Sequence, residues 1–171
     1  MRGFLLLLLS TSCIFCQKLE NNNFLILESE SPQYYYVLTE DGYYISESSE
    51  KFRFKQYAKP IPKSLNVGLN TLLPVMHKDK SYLLYPGGGL LYLFSDGAIT
   101  RIDRSFPHRN QYGGYFFSYN DNLYLIGGYG YWQTKSIITK FNFNSGDWEI
   151  LNSYGQSPEG IDQGTFLVKN K

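Results

Sequence analysis

Along most of the chain, apolar and polar positions alternate in short runs that break at glycine-containing polar pairs, a pattern that predicts strands joined by tight turns. Three segments read as hairpins: Gln33 to Ser46 (QYYYVLTEDGYYIS), Gly89 to Asp103 (GLLYLFSDGAITRID) and Ile137 to Asn152 (IITKFNFNSGDWEILN). Their turns are Asp41-Gly42, Asp96-Gly97 and Gly146-Asp147. Glycine takes a positive φ without a Cβ clash, and aspartate tolerates one. The turns recur about every fifty residues, a period that implies a repeated four-stranded unit. Further strands are expected at Tyr82 to Tyr85, Gly114 to Tyr119, Leu123 to Ile126, Ser136 to Phe143 and Trp148 to Leu151. The expected fold is all-β, built of about three four-stranded antiparallel sheets, the set incomplete.

Composition agrees: 16 Tyr, 12 Phe and 16 Gly against two Met favour pleated strands and turns over helices. The formal charge is +1, with no run of Lys and Arg, so the electrostatic footprint of a nucleic-acid binder is missing.

The N-terminus breaks the alternation. Met1-Arg2-Gly3 is followed by an apolar run from Phe4 through Phe15, the layout of a secretory signal peptide and too short to span a bilayer. Cleavage after Ser12 or after Cys16 is compatible with it; with the leader taken as 1–16, the mature chain is 17–171 and is secreted or held at the cell envelope. Leu9-Ser10-Thr11-Ser12-Cys13 resembles a bacterial lipoprotein signal, which implies a lipid anchor at Cys13, although Ser10 stands where that family usually has Leu. No cysteine follows Cys16, so the mature chain has no disulfide framework, thiolate metal site or cysteine nucleophile.

The stretch from Tyr112 to Leu151 holds an apolar strand, the pair Gly127-Gly128, a variable segment from Tyr129 to Lys135, and two aromatics seven residues apart, Phe141 and Trp148. It resembles a kelch motif, with Phe141 where the family usually has Tyr. Tyr92 and Ile99 take the places of the aromatic pair in the unit before, and Val37 and Tyr44 in the first. The resemblance implies a galactose-oxidase-like β-propeller, with hairpins near 34–57, blades over 67–104 and 112–151, and the start of a further blade at 164–171. It also implies that the double glycine lets the chain turn beside its neighbour and that the aromatic pair fills the space between blades. Propellers usually close with four to eight blades, so a partial propeller from a longer chain is expected.

Chemistry is sparse. The copper site that the resemblance suggests in galactose oxidase needs a cysteine-modified tyrosine, and the two histidines, His77 and His108, do not define a metal site. Both read as solvated loop residues. Glu40, Asp41, Asp96, Asp103, Asp121 and Asp147 read as turn residues that bond local backbone. No Gly-x-Ser-x-Gly elbow occurs, and Gly87-Gly88-Gly89 lacks the Lys-Ser/Thr of a phosphate loop. No catalytic residue, cofactor or metal is expected. Candidate ligand contacts are Tyr129, Tyr131 and Trp132, whose rings either pack on a neighbouring blade or face a protein or glycan, and Arg101 and Arg109, which suit an anion. The expected function is an exported interaction module that binds a protein or carbohydrate through its loops. The alternative carried by the resemblance is a sugar-modifying enzyme of the mutarotase kind, or a fragment of one.

Overall fold

The computed structural model describes residues 23–28, 34–40, 42–48, 51–57, 67–87, 89–104, 111–152, 154–155 and 159–161. The leader with Cys13, His108, Arg109 and the strand expected at 164–171 lie outside the described residues.

The alternating runs become three antiparallel four-stranded meanders. The first contains β1 (Phe24–Glu28), β2 (Tyr35–Thr39), β3 (Gly42–Ser48) and β4 (Lys51–Tyr57). The middle sheet follows a single 3₁₀ turn at Leu69–Thr71 and contains β5 (Leu73–His77), β6 (Lys80–Tyr85), β7 (Leu90–Ser95) and β8 (Ala98–Arg101). In the third, β9 (Tyr115–Tyr119) and β10 (Asn122–Ile126) lead into a two-stranded ribbon, β11 (Tyr129–Gly130) and β12 (Gln133–Thr134), before β13 (Ile138–Asn142) and β14 (Asp147–Ile150) complete the sheet. Each sheet is blade-like, with its strands paired in chain order, and among the described residues the sheets do not close into a ring.

What stacks the sheets is the two-residue period of the middle one. On β6, Leu83 points to the first sheet, while Tyr82 and Leu84 point to the third. On β7, Leu90, Tyr92 and Phe94 face the first sheet, and Leu91 and Leu93 the third. Leu25, Leu27, Leu38 and Tyr43 meet one face; Leu123, Leu125, Phe141 and Trp148 meet the other. Each fully buried leucine or aromatic contributes roughly 1.5–3 kcal/mol relative to exposure, so the two interfaces supply most of the packing. Phe141 lies directly opposite Trp148, with ring centroids 5.3 Å apart, and the Trp148 indole donates to the Gly89 carbonyl at 2.8 Å. The aromatic pair therefore fills space between sheets and fastens the third to the middle one.

The first unit of the sequence repeat is one strand out of step. The turn entering Gly42 joins the second and third strands of its sheet, whereas Asp96-Gly97 joins the third and fourth of the middle sheet. A short glycine turn suits either connection, so turn chemistry alone does not number the strands, and matching the two turns leaves β4 without a counterpart. Val37 and Tyr44 are direct partners but lie on the face of the first sheet turned away from the middle one. In the middle sheet Ile99 pairs with Phe94, and Tyr92 pairs with Arg101.

Candidate functional site

Among the described residues the largest group of exposed aromatic side chains lies on the β11–β12 ribbon and the adjoining Tyr112. Four two-residue hairpin turns share a backbone in which both residues have positive φ: Lys78-Asp79, Asp96-Gly97, Asn120-Asp121 and Tyr131-Trp132. This is the type I′ pattern, whose twist matches the strands and which favours Asn, Asp and Gly. Three of the turns contain such residues. The fourth holds two bulky aromatics at φ 50° and 64°, a conformation costing roughly 1–3 kcal/mol per residue. That cost is not offset by burial, because Tyr131 is 72 % and Trp132 91 % exposed.

The ribbon beneath this tip is firmly held. Tyr112 exchanges two backbone hydrogen bonds with Tyr129, at 2.9 and 2.8 Å, adding a third line of chain beside β11. Directly opposed residues share a face, so Tyr112, Tyr129 and Thr134 form a row across the ribbon, about 5 Å between neighbours. Lys135 sits with its Nζ 6.0 Å from the centre of the Tyr131 ring.

At the base of the ribbon stand Gly127 and Gly128, both at positive φ, 72° and 89°. A Cβ on Gly127 would lie 2.6 Å from the Ile161 carbonyl oxygen, and one on Gly128 would lie 2.6 Å from the Gln111 carbonyl carbon. Two lines of chain press on the pair. Gly128 N–H donates to Ile161 O at 2.7 Å, Ile161 N–H to Lys135 O at 2.9 Å, and Lys135 N–H to Gly128 O at 2.7 Å. Gln111 closes the arrangement from below. Its buried amide donates to the carbonyls of Leu125, Gly127 and Ile137 at 3.2 to 3.3 Å, and its Oε1 accepts from the Thr139 hydroxyl at 2.8 Å. The sequence offered little sign of this residue, since a glutamine before a strand reads as loop.

Of the candidate ligand contacts, the structure brings Tyr129, Tyr131 and Trp132 together and does not place Arg101 with them. Arg101 donates through Nε and Nη2 to the two oxygens of Asp103, at 3.0 and 2.9 Å, and this bonding raises its pKa further. Asp103 is no turn residue: it is buried and accepts the Leu91 N–H at 2.8 Å, tying the exit of β8 to β7. A cleft of about 350 Å³ between β1 and β5 is walled by Ile26, Leu27, Glu28, Pro74, Val75, Met76 and Ser81. The Ser81 hydroxyl there already donates to the Glu28 carbonyl, so the cleft offers few converging polar groups.

His77 also departs from expectation. It is 4 % exposed, its Nδ1 lies 2.8 Å from the Ser118 hydroxyl, and its ring stacks on Phe143 with centroids 5.6 Å apart. It belongs to the contact between the middle and third sheets. Burial, with Lys78 next to it, lowers its pKa, opposed by Asp121. A base whose folded pKa is depressed takes up its proton more readily when unfolded, so stability is full above about pH 6.5 and falls as pH drops toward the folded value. We expect the unfolding free energy from urea titrations to decline below that pH with a slope of up to about 1.4 kcal/mol per pH unit from this site, and His77→Phe to flatten it. An unchanged slope in the variant would assign the pH dependence elsewhere.

Among the described residues no group of three or more His, Cys, Asp and Glu could hold a metal ion, and no helix is long and apolar enough to cross a membrane. Compared with protein-family models and with curated proteins, the chain matches none.

Proposed function

We propose that this chain is an exported, kelch-like interaction module that binds its partner through the β11–β12 ribbon. The observation that carries the binding role is the pair Tyr131-Trp132, strained and solvent-facing on a rigid base. Stability is sacrificed at that turn with no return in packing, the pattern expected where a side chain is retained for contact with something else. The kelch-like assignment rests on the double glycine at the ribbon's base, the opposed Phe141 and Trp148 between sheets, and the stacked four-stranded meanders. Export rests on the leader-like sequence at 1–16.

The test replaces Tyr131-Trp132 by Asn-Gly, the pair that a type I′ turn prefers. The variant is expected to gain about 1–2 kcal/mol of stability in urea unfolding, because two unfavourable backbone positions are relieved. It should also lose retention on the cell-surface material of the source organism, measured with labelled protein. Equal retention of the two proteins, or none by either, would overturn the binding role of the ribbon.

A further inference from the structure

Resting on that reading of the ribbon, we infer that its ligand is a neutral glycan chain rather than a protein. The side chains presented are of two kinds. Tyr112, Tyr129, Tyr131 and Trp132 supply flat aromatic surface; Thr134 adds a hydroxyl on the face of Tyr112 and Tyr129, and Gln133 an amide on the opposite face next to the tip. A sugar ring needs that combination, since its C–H face stacks on an aromatic ring while its rim of hydroxyls seeks short polar partners. A protein hot spot instead lies within a collar of contacts that exclude water, on a patch of about 800 Å² per partner. Trp132 stands at a hairpin tip with polar Gln133 and Thr134 beside it, so that collar is missing among the described residues.

Geometry and charge narrow the class further. The row Tyr112, Tyr129 and Thr134 crosses three adjacent lines of chain, and its spacing of about 5 Å between neighbours gives an extended track instead of a pocket. A track suits a linear chain of repeating rings more than a single sugar. Lys135, the cation close to the platform, is directed at the Tyr131 ring, and Arg101 is engaged by Asp103 away from it. Among the described residues the platform therefore lacks the paired cations that a polyanionic chain would call for. The rigidity of the ribbon lowers the ordering cost of binding, so a few stacked rings suffice for measurable affinity.

Saturation-transfer NMR on the full chain tests the inference, with linear oligosaccharides of β-linked glucose, α-linked glucose, β-linked xylose and β-linked N-acetylglucosamine, and polygalacturonate as the acidic probe. We expect at least one neutral chain to receive saturation from Tyr and Trp ring protons. The Asn-Gly variant, folded by its urea transition, should bind it roughly tenfold or more weakly. Failure of every neutral chain with the unaltered protein, or stronger binding of polygalacturonate, overturns the inference; so does full binding by the Asn-Gly variant. The retention experiment separates this failure from that of the broader proposal. Ribbon-dependent retention destroyed by protease and spared by periodate overturns the glycan alone, and absence of ribbon-dependent retention overturns the binding module itself.

Discussion

Gly128→Ala is expected to lower stability by about 3 kcal/mol or more, read as a fall in the urea midpoint, and to loosen the ribbon that Gly128 supports. Two costs combine. A non-glycine residue at φ 89° is strained wherever it sits, and the added methyl would stand 2.6 Å from the Gln111 carbonyl carbon, which is backbone and cannot swing aside. If Gln111 retreats, its bonds to Leu125, Gly127, Ile137 and Thr139 are disturbed as well. By contrast Gly155→Ala, at φ 101° but with nothing within 4 Å of its Cβ position, should cost only the backbone strain. A loss no greater at Gly128 than at Gly155 would show that the crowding is relieved without penalty.

The second large effect is expected at Gln111, where Gln111→Leu should cost about 2–4 kcal/mol despite its similar volume. Three carbonyls and the Thr139 hydroxyl lose a partner in a buried place; the Ile137 carbonyl keeps the Gly127 N–H and the Thr139 hydroxyl keeps the Leu125 carbonyl, so the Gly127 carbonyl is the most exposed to the loss. The cost of a buried polar group left unpaired exceeds the modest net worth of each bond when made. Thr139→Val removes the hydroxyl that bonds Gln111 Oε1, so part of the loss is common to both changes and the double variant should be less destabilised than the sum of the two single changes. Strict additivity would argue that Gln111 acts by shape and not by its hydrogen bonds.

These two residues also mark how far the sequence is legible. Strands and turns follow from a period of two and from glycine-containing pairs, and the pairing of Phe141 with Trp148 follows from their spacing around a turn. Gly127-Gly128 stands out because two adjacent glycines signal an unusual path, but what crowds them does not, since Gln111 and Ile161 approach from opposite directions in the chain. His77 reads as a loop residue because Lys78, Asp79 and Lys80 are polar; its burial depends on Ser118 and Phe143, more than forty residues away. The Tyr129 to Gln133 segment was legible as an aromatic loop. That it forms a ribbon with a strained aromatic tip was not, because Tyr-Trp is a poor type I′ turn by composition and is held there by Tyr112 and Ile161.

The double-sided burial of the middle sheet bears on how the protein is made. Once β5 to β8 have left the ribosome, one face rests on the first sheet, while Tyr82, Leu84 and Leu91 wait for partners that end at Trp148. At usual translation speeds the wait is roughly 2–10 s, long compared with the microseconds in which a hairpin forms. During that interval the nascent chain offers a wet apolar face to any other sheet in the same state. That interval is the window in which mispairing between chains competes with completion of the third sheet.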